Sequence, residues 1–354
     1  MTTESGISAA DRRRVILWLY LCSGMVFAMV VLGGAVRLTG SGLSMVDWKP
    51  LMGVLPPLNQ AAWEEAFARY REYPEYRLVN RDMTLESFRF IYYMEYLHRL
   101  IGRLVGVVFV LPFVYWLMRG ALPAWTRPRL WTALVLGAAQ GLLGWYMVMS
   151  GLVDNPHVSQ YRLTAHLLLA VFIFAWLLAL VFRLQGISGT MPLAQDRLRR
   201  FRRLAGVVIV LVFAMIATGG FMAGTKAGFI FNTWPMMGNQ WMPDQVWALV
   251  PWWRNLVDNP LGIQFVHRWL ALVVLVAVGA FGMLVARHAR DRVTAGLGIA
   301  LLAMLVAQVG LGIAALVNSV PLALGVVHQG GALVLLALLI ALWSRFRADH
   351  PTTT

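Results

Sequence analysis

The chain has 354 residues, 59% of them hydrophobic and only 13% charged, with a mean hydropathy of +0.67. That balance excludes a water-soluble protein of two domains and places the chain in a bilayer. The formal net charge of +14 is spread in a way that reads as membrane topology and excludes a nucleic-acid partner.

Apolar stretches long enough to cross about 30 Å of hydrocarbon at about 1.5 Å per residue run near 15 to 37, 90 to 118, 130 to 150, 162 to 182, 204 to 222, 263 to 286, 294 to 316 and 324 to 344. The first is too long for the apolar core of a cleaved signal, and Glu4 and Asp11 ahead of it do not suit a mitochondrial transit peptide. It is an anchor, and a bacterial inner membrane is expected.

Arg12, Arg13 and Arg14 precede the first span, and Arg119, Arg127 and Arg129 follow the second. Arg183, Arg197, Arg199, Arg200, Arg202 and Arg203 follow the fourth, Arg287, Arg290 and Arg292 the sixth, and Arg345 and Arg347 the eighth. Most of the 30 Lys and Arg residues thus fall on alternate connections. By the positive-inside rule both termini are cytoplasmic. The segment from about 38 to 89 mixes both charge signs and is expected to fold as a small surface element on the outer side. Cys22, the one cysteine, lies inside the first span, so the chain has neither an internal disulfide nor a thiolate metal site.

The sequence also repeats itself. "GGAVRLTGSGLSMVDWKPLMGVLPP" from Gly33 is answered by "GGFMAGTKAGFIFNTWPMMGNQWMP" from Gly219, and "EYLHRLIGRLVG" from Glu95 by "QFVHRWLALVVL" from Gln264. "AAQGLLGWYMVMSGLV" from Ala138 matches "VAQVGLGIAALVNSV" from Val306, each with a Gly four positions after its Gln. His166 in "YRLTAHLLLA" answers His328 in "LGVVHQGGAL". The expected architecture is an all-α membrane protein of eight spans, arranged as two pseudo-symmetric four-helix bundles: an N-terminal half over 1–184, a basic linker over 185–203 and a C-terminal half over 204–354. Each half has an even number of spans, so the copies are parallel.

His98, His166, His267 and His328 all lie near the outer start of their spans, at one depth. An imidazole inside a membrane is costly and faces the bundle interior with a partner. A lone one is satisfied by helix packing, but four at matched depth in two repeats ask for more. Zinc wants a denser ligand cluster, whereas two histidines on different helices suit the axial positions of a heme. Arg99 and Arg268, beside the first histidine of each half, are placed either for heme propionates or for snorkelling to headgroups. His157, His288 and His350 fall in loops or the tail and read as surface residues.

Glu95 and His98, spaced i, i+3, share a helix face. Gln264 puts an amide at the corresponding place, which hydrogen-bonds but is no base. Glu95 is equally spaced for an i, i+4 ion pair with Arg99. Trp48, Trp63, Trp234, Trp241, Trp252 and Trp253 either cap the heme edges or form an interfacial belt. Taken alone, these residues define a two-heme membrane protein. An enzyme, a diheme b-type electron carrier without substrate oxidation and a transporter all remain open. The unequal acid favours the enzyme over the carrier, and the lack of midplane carboxylates disfavours an ion-coupled transporter.

Over nearly its whole length the chain resembles the heme A synthase family. The likeness rests on "TGSGLSM" with the following Trp and "GVLPP", on "EYLHRLIGR", "AGTKAGFIFNTWPMM", "QFVHR" and "VVHQGGA". The branch of that family with a cysteine pair in its outer loops is not matched. The resemblance implies an oxidoreductase that converts a methyl group of heme O to the formyl group of heme A for terminal cytochrome oxidase. It implies that His98 and His166 hold the substrate, that Glu95 is the functional acid beside it, and that His267 and His328 ligate a resident heme B. The partners implied are heme O, a heme O synthase, cytochrome oxidase assembly factors, an electron-transfer partner and membrane lipid.

Overall fold

The computed structural model describes residues 8–46, 55–153, 156–186 and 195–347. Helix α1, Ala9–Leu38, starts at Ser8, whose hydroxyl accepts the Asp11 amide. It buries Val15, Trp18, Leu19, Cys22, Val26 and Val30, a spacing that keeps one face of a helix inward. Between the first two spans, α2 (Gln60–Tyr70) and α3 (Pro74–Leu78) build the small surface element expected there. Trp63 and Tyr70 from α2 pack against Phe88 and Ile91 at the start of α4, Leu85–Met118. That aromatic cluster, with Thr84 capping the Ser87 amide, explains why α4 begins before the span expected from residue 90. Its first turns stand on the outer element.

The chain continues through α5 (Arg127–Met149), α6 (Gln160–Leu184) and α7 (Gln195–Gly224). Helix α7 starts nine residues before the apolar run expected from 204, so the arginines from Arg197 to Arg203 ride on its first turns. Short 3-10 turns lead to α8 (Pro260–His288), α9 (Arg292–Val317) and α10 (Leu322–Arg345). Among the described residues there is no strand beyond one isolated bridge, Met237 to Gln240. Eight helices are long and apolar enough to span a membrane: all of these except α2 and α3.

Neighbours follow the same cyclic order twice. Helix α1 lies against α4 and α6, with α5 beside α6; α7 lies against α8 and α10, with α9 between them. The two groups meet through α1 with α10 and through α6 with α7 and α10. In the bilayer apolar burial drives little of this, so small residues and polar contacts set the packing. At the end of the bundle that holds the start of α1, Arg12 Nε donates to the last carbonyl of α6, at Leu184 (2.7 Å). Arg345 donates to Thr294 Oγ1 (2.6 Å) and pairs with Asp291 (2.9 Å), which caps α9. These arginines are built into the fold.

The halves are not equally tight. In the second, α8 and α9 close on Gly282 and Gly298, where a Cβ on Gly298 would meet the Ala286 amide nitrogen at 3.0 Å. Counting from the matched histidines and glutamines, the first half has Phe113 and Leu130 there. Helix α4 touches α5 sparsely, and Gly106, Gly137 and Gly141 face open space.

Candidate heme sites

Each of the four histidines is seated against a glycine of a neighbouring helix. A Cβ on Gly33 of α1 would stand 3.2 Å from His98 Nε2, and one on Gly144 of α5 would stand 2.9 Å from His166 Cε1. In the second half a Cβ on Gly219 of α7 would stand 3.6 Å from His267 Cε1, and one on Gly312 of α9 would stand 2.8 Å from His328 Cε1. Within each half the two histidines lie near each other. The repeated glutamines also find their purpose: Gln140 Nε2 donates to the His166 carbonyl at 3.0 Å and Gln308 Nε2 to the His328 carbonyl at 2.9 Å. A Gln and a Gly one turn apart therefore hold both backbone and ring of the histidine on the next helix.

The Gly-Gly pairs divide their work in the same way. The first glycine of each faces its own half's histidine; the second packs on the opposite half. A Cβ on Gly220 would meet Thr164 Oγ1 of α6 at 2.8 Å, and one on Gly34 would collide with Gln329 of α10, whose Nε2 donates to Val30 O at 2.8 Å. Sequence reading found the repeat of these glycines but missed their partners, because the partner is set by which helix lies alongside.

The acid and its amide counterpart both bind the loop that follows the Gly-Gly helix, with opposite polarity. Glu95, 3% exposed, accepts at Oε2 from the Ser44 hydroxyl (2.7 Å) and the Met45 amide (2.8 Å), and at Oε1 from Arg99 (2.5 Å). Gln264, fully buried, donates from Nε2 to the carbonyls of Ala227 (3.0 Å) and Phe231 (3.1 Å). Of the two arrangements open from spacing alone, the ion pair with Arg99 is the one present, and both carboxylate oxygens are taken by Ser44, Met45 and Arg99. Arg99 also donates to Met45 O (2.9 Å), while Arg268 donates to the carbonyls of Thr233, Met236 and Phe231. Both arginines, each next in sequence to a histidine, thus stitch the backbone of the loops that follow α1 and α7. Ser44 and Met45 were not singled out from sequence; their signal is the "TGSGLSM" turn itself.

Beyond Glu95 lies a second buried carboxyl. Tyr70 donates its hydroxyl to Glu75 Oε2 (3.1 Å) and receives Asn80 Nδ2 (2.8 Å). Burial, helped by the nearby charge of Glu95, pushes the Glu75 carboxyl up to about 7. The tryptophans mostly do not cap the pockets. Trp63 is buried in the outer aromatic cluster, but Trp234, Trp241, Trp252 and Trp253 are exposed, as an interfacial belt requires. Trp48 lies outside the described residues.

The residues present fit heme. Nδ1 of His166 and of His328 is buried without a hydrogen-bond partner, and His166 Nε2 has only Gln140 Nε2 at 3.3 Å; imidazoles so poorly satisfied are costly to bury unless a ligand takes one of their nitrogens. No group of three or more His, Cys, Asp or Glu that could hold a bare metal ion occurs among the described residues.

Fold and site together define a multi-pass helical membrane protein with two matched histidine pairs. The family model described as cytochrome oxidase assembly protein matches residues 16–340, and the chain belongs to that family. Relatives lie across nearly the whole chain. The protein named heme A synthase from Rhodospirillum centenum is 46% identical over 346 residues, covering 98% of this chain and 91% of its own length. Those of the same name from Nitrosospira multiformis and Nitrosomonas eutropha are 45% and 42% identical, each over 335 residues, covering 94% and 93% of this chain and 93% and 92% of their own lengths.

Proposed function

We propose that the chain is a heme A synthase that oxidises a methyl group of heme O to a formyl group. The observation that carries the reading is that two matched histidine pairs are present while only the first half has a buried carboxylate, Glu95, one turn before its first histidine on the same helix. The first half, 1–184, is the substrate half, and His98 and His166 hold heme O there. Its looser α4–α5 seam supports this, since a substrate must enter and a product leave. The second half, 204–354, follows the basic linker over 185–203 and holds a resident heme B between His267 and His328. When bound, heme B supplies one-electron transfer toward an outside partner.

The net change, R–CH3 + H2O → R–CHO + 4 H+ + 4 e−, is two successive two-electron oxidations. An alcohol comes first, then a geminal diol that loses water. The chain must steady positive charge at the methyl carbon and receive protons. Glu95 serves the first need: Ser44, the Met45 amide and Arg99 hold its negative charge in a fixed place, and a preorganised charge stabilises a developing opposite one without reorganising. Proton removal from the attacking water falls to the same carboxylate once Ser44 turns aside. Arg99 and Arg268, held on loop carbonyls beside the pockets, are the cations available to heme propionates.

The arginines at the inner ends of the spans support cytoplasmic termini and heme sites toward the outer face of a bacterial inner membrane. Heme O, soluble in the bilayer, is handed over by a heme O synthase, and the product passes to cytochrome oxidase assembly. The test is mass analysis of hemes extracted from protein made with and without a coexpressed heme O synthase. Constant heme B, with heme O, its hydroxylated form and heme A only when the synthase is present, is the expected result. Glu95→Gln should keep the hemes and lose the product. Two heme B per chain in both preparations makes the protein a diheme electron carrier and refutes the reading.

A further inference from the structure

We propose that Thr218 is a positioning residue that fixes His267 as a permanent iron ligand, and that Leu32, at the matched place in the first half, leaves His98 free to release its iron. This rests on the assignment of a resident heme to His267 and His328.

The hydrogen bonds of Thr218 determine the direction of the contact. Its Oγ1 donates to the Met215 carbonyl at 2.8 Å and lies 2.8 Å from His267 Nδ1. A hydroxyl has one hydrogen, and the helix carbonyl is placed to take it. With the hydrogen there, the hydroxyl accepts from His267 and Nδ1 carries the proton, and this is the polarity we assign to the contact. That selects the tautomer whose Nε2 lone pair is open, the form that binds iron. A ligand histidine whose second nitrogen donates to a fixed acceptor is held in orientation and made more basic. Thr218 itself is held on α7 next to Gly219, the residue on which the ring rests, so acceptor and seat are neighbours on one helix.

The first half keeps the seat and drops the acceptor. Gly33 backs His98 at Nε2 and Cδ2 where Gly219 backs His267 at Cε1, so the rings are turned differently on matched glycines, and the residue before each glycine is Leu32 in one half and Thr218 in the other. A leucine offers nothing to an imidazole N–H. The difference parallels the chemistry: a resident heme must stay through every turnover, while the substrate iron must be given up with the product. Leu32 against Thr218 thus joins Glu95 against Gln264 as a chemical difference between the halves.

The test uses full-length protein in the His98→Ala background, so that only the second half binds heme. Heme transfer to excess apomyoglobin gives the loss rate, and a redox titration gives the midpoint potential. Thr218→Val, nearly the same shape without the hydroxyl, should lose heme about 10- to 100-fold faster. Its potential should rise, because a less basic imidazole favours the ferrous state. Thr218→Ser should restore both, and Thr218→Ala provides a smaller variant should valine disturb the helix. Unchanged loss and potential in the valine and alanine variants overturn the proposal. So does faster loss without a shift in potential, which would leave Thr218 as packing alone. The underlying assignment is tested separately by His267→Ala: if that variant still binds heme as before, the resident site is elsewhere and the assignment fails first.

Discussion

Replacing Gly312 by alanine would set a methyl carbon 2.8 Å from His328 Cε1, 3.4 Å from Nδ1 and 3.5 Å from Nε2. Carbon atoms rest about 3.5–4.0 Å apart, so the ring must retreat by about 0.7–1.2 Å. It cannot do so by carrying its helix along, because Gln308, one turn from Gly312, holds the His328 carbonyl at 2.9 Å. Overpacking of this kind costs about 1–3 kcal/mol. If that falls on the liganded geometry, heme binding weakens about 5- to 140-fold. The matched control is Gly219→Ala, whose methyl would stand 3.6 Å from His267 Cε1, an ordinary contact that should change binding by about 2-fold at most. The assay is heme per chain after a timed challenge with apomyoglobin, with the optical spectrum reporting ligation. Equal loss in both variants, or none in Gly312→Ala, would refute the idea that these glycines set the ring positions.

Glu75 predicts a pH dependence outside the membrane. Its carboxyl is raised from 4.5 to about 7, so the folded state holds the proton that the unfolded state has lost. Stability is then greatest below the unfolded value and falls as the pH rises from about 4.5 to 7. Melting in detergent should show this decline in the parent and not in Glu75→Gln; parallel curves would mean the carboxyl is not buried as described. Gln140→Leu removes the helix-to-helix hydrogen bond to the His166 carbonyl and the longer contact to its Nε2 and should lower stability by about 0.6 to 2 kcal/mol, read by chemical unfolding of the detergent-solubilised protein. No change there would mean that the Gln-Gly pair does not tie α5 to α6.

The eight spans were legible because a run of apolar residues of bilayer length has few other fates, and the structure places helices over every one of them. Where helices begin was less legible. Helix α4 starts early because Phe88 and Ile91 meet Trp63 and Tyr70 across the surface element, and no local signal reveals that meeting. The glutamines of the two Ala-Gln motifs were visible as a repeat, but their role was not, since each is satisfied by the carbonyl of a histidine on another helix. Glu95 shows the limit most clearly. Spacing allowed both a face shared with His98 and a pair with Arg99, and the donors Ser44 and Met45 come from a loop distant in sequence.

By itself the sequence determined the solvent, the number of crossings, the duplication and the histidine positions, because hydrophobic length, charge placement and repeat spacing are properties of the chain read along its own axis. The tertiary structure decided which glycine backs which histidine, that Glu95 is clamped by three donors while Gln264 holds two carbonyls, and that α8 closes on α9 where α4 stands off from α5. Those outcomes depend on the close approach of helices, set by a few small or bulky residues such as Gly282 and Phe113. Only the packed molecule brings such residues to the helices they meet.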